Sequence, residues 1–213
     1  MTPDLSLYLV TDTVIARRAG HQLPDLVAAA VDGGVSAVQI REKDSPAGQF
    51  LDLVAAISEV TPIHVPVLVN DRVDVFLAAR ARGIRVSGVN VGQSDLPADV
   101  VRDLIGPEAL LGVSASTPSR IEQAAQHADY VGIGPVWLTN TKPDAENALG
   151  VDRLAELAAQ SPVPVVAIGG IGHDQIAELC GKTAGVAIVS SICGDPDPRR
   201  AARRLAEAWT GRS

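Results

Sequence analysis

Short aliphatic runs alternate with longer amphipathic stretches along the whole chain. Residues 5–10 (LSLYLV), 37–40, 65–69, 89–91, 110–113, 130–133, 163–168 and 185–189 read as strands. Between them, apolar residues recur at helical spacing over 23–31, 46–60, 73–82, 97–105, 118–127, 151–159, 174–179 and 198–209. Pro24, Pro46, Pro97, Pro118 and Pro198 lie in the first turn of five of these helices, where a missing N–H costs little. Thr117 stands where the helix from Pro118 needs a cap. The strand runs are continuously apolar rather than alternating, as in parallel strands buried on both faces.

The pattern amounts to eight strand–helix pairs of about 27 residues each, close to the roughly 30 of a βαβ unit. It predicts an α/β fold, a (β/α)8 TIM barrel filling residues 1–213 as a single domain. A doubly wound open sheet is the alternative, but no GxGxxG opens the first helix. Segment 80–91 (RARGIRVSGVNV) offers two candidate strands, 84–86 and 88–91. The second is preferred because the polar cluster Gly92–Asp95 follows it, which leaves 80–87 as a surface excursion.

Composition narrows the classes. Aromatics make up only 3%, so the core must be built from Val, Ile, Leu and Ala. A net charge of −7 argues against a general basic surface for nucleic acid or an anionic membrane, while leaving room for a local anion pocket. No apolar run approaches the roughly 18 residues of a membrane span. Nor does the N-terminal stretch, which carries Asp4, read as a signal peptide. Cys180 and Cys193 read as free thiols in a reducing cytoplasm.

In such a barrel, chemistry collects where the strands end. After the second strand, Gln39, Arg41 and Lys43 follow in phase, an amide and two cations suited to an anion attached to a polar ring. Asn70-Asp71 follows the third strand, and Gln93-Ser94-Asp95 the fourth. Asp71 and Asp95 on neighbouring strand ends suit oxygen-only Mg²⁺ coordination, completed by substrate phosphates. Either acid is alternatively a helix cap, as is Ser114 after the fifth strand. Asp74 reads as a first-turn helix acid. The loop after the sixth strand, running to Gly150, is the longest, and its Lys142 is either a phosphate contact or an exposed loop lysine. Gly169-Gly170-Ile171-Gly172 and Ser190-Ser191 follow the last two strands, where many barrels cradle phosphate on backbone N–H groups. No histidine occupies a strand end and no nucleophile–base pair is present. This suits chemistry with little proton transfer, such as diphosphate expulsion.

Together, VQIREK (38–43), LVNDR (68–72), VGQSD (91–95), GVS (112–114), DYVGIGPV (129–136), TNTKPD (139–144) and IGGI (168–171) resemble the thiamine phosphate synthase family, in order and over nearly the whole chain. The resemblance implies a transferase of thiamine biosynthesis. It would condense 4-amino-2-methyl-5-hydroxymethylpyrimidine diphosphate with a thiazole phosphate, giving thiamine phosphate and diphosphate. It further implies that Gln39, Arg41 and Lys43 bind the pyrimidine diphosphate, aided by Asn70, Ser114 and Lys142. Asp71 and Asp95 would hold Mg²⁺, and Thr139, Thr141, Gly170, Ser190 and Ser191 would meet the thiazole phosphate. Lys142, Arg41 and Ser114 would assist the chemistry. Asn90 stands where the family usually has His, the stretch between Asp71 and Asp95 is a few residues longer, and Trp137 replaces a smaller aromatic. A thiazole tautomerase paralogue, a non-catalytic phosphate-binding barrel and a phosphate-binding isomerase are the alternatives; Lys142 favours the synthase. The expected partners are the two small substrates, with a homo-oligomer left open.

Overall fold

A computed structural model describes residues 3–139 and 148–211. Eight parallel strands close on themselves in chain order, each paired with the next and the last with the first. They are β1 (Leu7–Val10), β2 (Ala37–Ile40), β3 (Val67–Asn70), β4 (Gly88–Val91), β5 (Leu110–Ser114), β6 (Tyr130–Ile133), β7 (Val165–Ile168) and β8 (Gly185–Ile188). The described helices between and after them are α1 (Thr13–Arg18), α2 (Leu23–Asp32), α3 (Ala47–Val60), α4 (Val73–Ala81), α5 (Ala98–Ile105), α6 (Pro118–Ala125), α7 (Val151–Gln160), α8 (His173–Leu179), α9 (Ser190–Cys193) and α10 (Pro198–Thr210). The closed barrel is the predicted architecture, and the open sheet is excluded.

Sequence explains the local choices. Helix α2 buries Leu23, Leu26, Val27 and Ala30, a stripe at helical spacing, against the strands. Asp12, Thr117 and Asp197 accept from backbone N–H groups at the starts of α1, α6 and α10. Two of the helices, α1 and α9, are too short to show in the hydrophobic pattern. No described helix is long and apolar enough to cross a membrane. Cys193 is buried and Cys180 half-buried, both as free thiols.

The segment after α4 differs from a simple surface excursion. Residues 80 and 81 still belong to α4, and Gly88–Val91 is the barrel strand, as the pattern required. Ile84 and Val86 pack, half-buried, on the outer core. Arg85 reaches back to the end of α3, donating to the carbonyls of Ser58 at 2.5 Å and of Thr61, while the Ser58 hydroxyl donates to the Arg85 carbonyl at 2.6 Å. The apolar pair that resembles a strand is therefore a clamped crossing.

Two apolar clusters flank the strands. The larger fills the space between strands and helices. The smaller lies inside the barrel and includes Tyr8, Val10, Ala37, Leu68, Tyr130, Val166 and Ala187. Toward the strand ends this inner packing turns polar, with Gln39 and Asn90 buried beside the two tyrosine hydroxyls. Gly112 makes room for that layer. A Cβ there would lie 2.2 Å from Tyr130 Cζ and 2.5 Å from Asn90 Oδ1. Both neighbours are buried and cannot swing away. Gly112→Ala should therefore lower stability by about 1–3 kcal/mol, the usual range for overpacking. A denaturant midpoint unchanged from wild type would show that the polar layer yields.

Candidate active site at the barrel mouth

The β3–β4 register builds the acidic part of the mouth. Asn70 pairs with Asn90, and the Asp71 N–H donates to the Asn90 carbonyl at 2.8 Å. Asp71 then turns into the left-handed region at φ 60, a conformation that short polar Asp tolerates better than most residues. Capping does not account for it, because α4 begins after Arg72 with no side-chain cap. Asp95 uses Oδ2 to accept from the Gly92 N–H at 2.7 Å, closing the 92–95 turn, and α5 starts only after Pro97. The two carboxyl groups lie within hydrogen-bonding reach of each other. Although Asp71 is exposed as a residue, its carboxyl is partly desolvated. That desolvation, reinforced by the Asp95 charge, pushes its pKa up to about 6, against a smaller downward pull from Asn70 and Arg41.

Asp74, the neighbouring acid, plays no part. It pairs with Arg72 at 2.6 Å, which holds its carboxyl below the usual range.

Arg41 and Gln39 approach the acids from β2. Gln39 is buried in the barrel interior and donates to the Tyr8 hydroxyl at 3.0 Å. Arg41 and Lys43 lie beyond the last residue of β2, so strand phase does not govern their direction. Arg41 is instead positioned by its neighbours: its N–H donates to Thr11 Oγ1 at 3.1 Å, and its guanidinium faces Asp12 at 3.6 Å. Glu42 pins the following turn by accepting from Thr13 and from Ser45. Lys43 is exposed on that turn.

Ser114 ends β5, half-buried, and accepts from Asn90 Nδ2 at 3.4 Å. It caps no helix, since Thr117 does that for α6. The Ser114 carbonyl accepts from Gln93 Nε2 at 2.8 Å, linking the β4 and β5 ends.

The opposite side of the mouth is made of backbone. Gly169 and Gly170 adopt φ 101 and 68. A Cβ on Gly170 would meet Trp137 Cβ at 2.7 Å, so the loop after β7 packs closely under the one after β6. The Trp137 N–H donates to the Gly169 carbonyl at 3.1 Å. Thr139, half-buried, is the last residue described before 148; Thr141 and Lys142 lie outside the described residues. Ser191 Oγ donates to the Ile171 carbonyl at 3.1 Å and ties the start of α9 to the β7 loop, with exposed Ser190 beside it. The Gly172 N–H is already taken by Gln175.

The sequence model for thiamine monophosphate synthase matches residues 7–192. The chain belongs to the thiamine monophosphate synthase family. Thiamine-phosphate synthase of Moorella thermoacetica is 40% identical over 211 residues, covering 98% of this chain and 97% of that protein. The Roseiflexus castenholzii protein of the same name is 43% identical over 205 residues, covering 94% and 86%. A solved thiamine phosphate pyrophosphorylase from Pyrococcus furiosus superposes with a TM-score of 0.85 at 30% identity, covering 99% of this chain and 98% of that one.

Within this family frame, sequence reasoning had missed Thr11, Asp12, Tyr8 and Tyr130. Asp12, two residues after a strand, was a legible cap signal, but its pairing with Arg41 is purely tertiary. Among the described residues no histidine or further acid joins Asp71 and Asp95. Two carboxylates alone, one with its pKa raised by burial and then by the other, are a donor set suited to a hard cation that keeps several waters. Removing one charge should relax the other. In metal-free Asp95→Asn, the Asp71 pKa should fall below 6 yet stay above the ordinary carboxylate range, because burial is the larger cause. Carboxyl ¹³C titration reads this directly, and an unchanged midpoint would separate the two groups.

Proposed function

We propose that the barrel mouth condenses an aminopyrimidine-methyl diphosphate with a thiazole phosphate, releasing diphosphate and forming thiamine phosphate, as the family implies. The observation that carries this reading is the convergence of Arg41, Asp71 and Asp95 on one side of the mouth, facing the glycine-rich loop after β7 on the other. One side suits a metal-chelated diphosphate and the other a compact phosphate.

Asp71 and Asp95 would hold Mg²⁺. When bound, that ion neutralises charge on the diphosphate. Arg41, Lys43 and Lys142 bind the same anion, and Gln39 and Asn70 orient the pyrimidine. Ser114 offers a hydroxyl beside them. Thr139, Thr141, Gly170 and the backbone at Ser190-Ser191 take the thiazole phosphate. The aminopyrimidine ring feeds electrons toward its methylene as the C–O bond breaks. The bonding pair leaves with diphosphate, and the thiazole nitrogen forms the new bond to that carbon. No side chain need remove a proton, in keeping with the lack, among the described residues, of a histidine grouped with the carboxylates.

The test is diphosphate release with both substrates supplied together and each supplied alone. Release should require both; release from the pyrimidine alone would make the protein a hydrolase. Chelation with EDTA should abolish turnover and Mg²⁺ restore it. Asp71→Asn should be equally inactive yet folded, because Asn keeps the left-handed backbone while removing the charge. Activity in a metal-free assay would dismiss the metal site.

Lys142 separates transition-state from ground-state help. A departing diphosphate gains negative charge as its bond breaks, so a cation there favours the transition state. Lys142→Ala should lower kcat by about 10²–10³, with little change in KM for the thiazole phosphate. Steady-state kinetics with each substrate varied decide it; a wild-type kcat would make Lys142 an ordinary loop lysine.

A further inference from the structure

Beneath the mouth, five side chains from five strands form one hydrogen-bonded line across the barrel interior. Gln39 Nε2 donates to the Tyr8 hydroxyl oxygen at 3.0 Å, and the Tyr8 and Tyr130 hydroxyls are 2.9 Å apart. Tyr130 donates to Asn90 Oδ1 at 3.2 Å, and Asn90 Nδ2 donates to Ser114 Oγ at 3.4 Å. A phenol has one proton. Tyr130 gives its proton to Asn90, so the proton between the two phenols must belong to Tyr8. Every bond in the line therefore runs the same way, from Gln39 to Ser114.

We propose that Tyr8, Tyr130 and Asn90 are positioning residues that set the hydrogen-bond polarity of the two substrate-facing groups at the ends of this line. The inference rests on the assignment of the mouth to the aminopyrimidine diphosphate. At one end, the amide NH₂ of Gln39 is engaged inward, which reserves its carbonyl oxygen as an acceptor. That oxygen takes the exocyclic amine of the pyrimidine and rejects a ring bearing a carbonyl at the same position. At the other end, Ser114 Oγ already accepts from Asn90, which reserves its own proton as a donor to the anionic substrate.

The surroundings lock this arrangement. Tyr8 and Tyr130 are almost fully buried and their rings meet edge to face at 6.0 Å between centroids. Burial pushes the Tyr8 phenol up to about 12 and holds Tyr130 well above its ordinary value, so both keep their protons at neutral pH. Gly112 keeps the space beside Tyr130 and Asn90 clear. No described buried side-chain polar atom lacks a partner, so turning the Gln39 or the Asn90 amide would leave unpaired groups along the line.

The role of Asn90 is to accept on one side and donate on the other. A neutral imidazole can do the same, whereas Leu can do neither and a carboxylate can only accept.

The experiment measures calorimetric affinity for the 4-amino pyrimidine diphosphate and for its 4-oxo analogue in wild type, Tyr8→Phe and Tyr130→Phe. Binding is read without turnover, so failure of the condensation assay would sink the synthase reading and leave this result standing. Wild type should prefer the amino compound by at least about 10²-fold, as sites built to pair a specific polar group do. Either phenylalanine variant should reduce that ratio by about tenfold or more, with affinity for the thiazole phosphate changed less than twofold. Asn90→His should restore most of a preference that Asn90→Leu loses. If one phenylalanine variant does not fold, the other breaks the same line and carries the test. A wild type without preference, or a folded variant with the wild-type ratio, would overturn the proposal, as would equal weakening toward both substrates.

Discussion

Two like-charged carboxyl groups held side by side at the ends of β3 and β4 are the constraint around which the mouth is arranged. The strand register fixes it: Asn70 lies opposite Asn90, and the Asp71 N–H is bound to the Asn90 carbonyl. Burial of the Asp71 carboxyl, reinforced by the Asp95 charge beside it, raises its pKa to about 6. Arg41 offsets part of the repulsion. Its position depends on Asp12, which also caps α1, and on Thr11 at the end of β1. A rigid closed barrel maintains this arrangement, because strand ends in such a barrel cannot drift apart independently.

The mouth is asymmetric. Its β2–β4 side presents charged and amide side chains, while its β7–β8 side presents backbone that includes Gly169 and Gly170, where a Cβ would collide with the loop after β6. The net charge of −7 does not preclude the two anion sites proposed above, since the charge that matters there is local and backbone N–H groups can meet a phosphate without a side-chain cation. Between the two sides runs the buried polar line from Gln39 to Ser114, which links groups that the charges alone do not orient.

The barrel was legible because continuous aliphatic runs at regular spacing leave few other packings. Candidate site residues were legible because they follow the ends of those runs: Asp71 and Asp95 do come together, and Arg41 stands close enough to affect Asp71. Other features were not legible, for physical reasons. Helix α1 is six residues with one buried side chain, too little to create a periodic signal. Ile84 and Val86 look like a strand, and only the tertiary contacts of Arg85 with the end of α3 make them a crossing. Tyr8 and Asn90 each appear as one polar or aromatic residue within an apolar run. Their line depends on register between strands far apart in sequence, which no local pattern encodes.

The central claim is that the Asp71–Asp95 pair is built to take a divalent cation together with diphosphate. Calorimetric titration of Mg²⁺ into the protein tests it most directly, at pH 6 and pH 8, in buffers of different ionisation enthalpy and with or without diphosphate. Metal must displace the proton that the pair shares, so binding at pH 6 should release about half a proton per ion and at pH 8 almost none. Diphosphate should tighten binding, and Asp71→Asn should abolish both effects. Mg²⁺ binding with no proton release at pH 6, or binding that survives Asp71→Asn unchanged, would contradict the account.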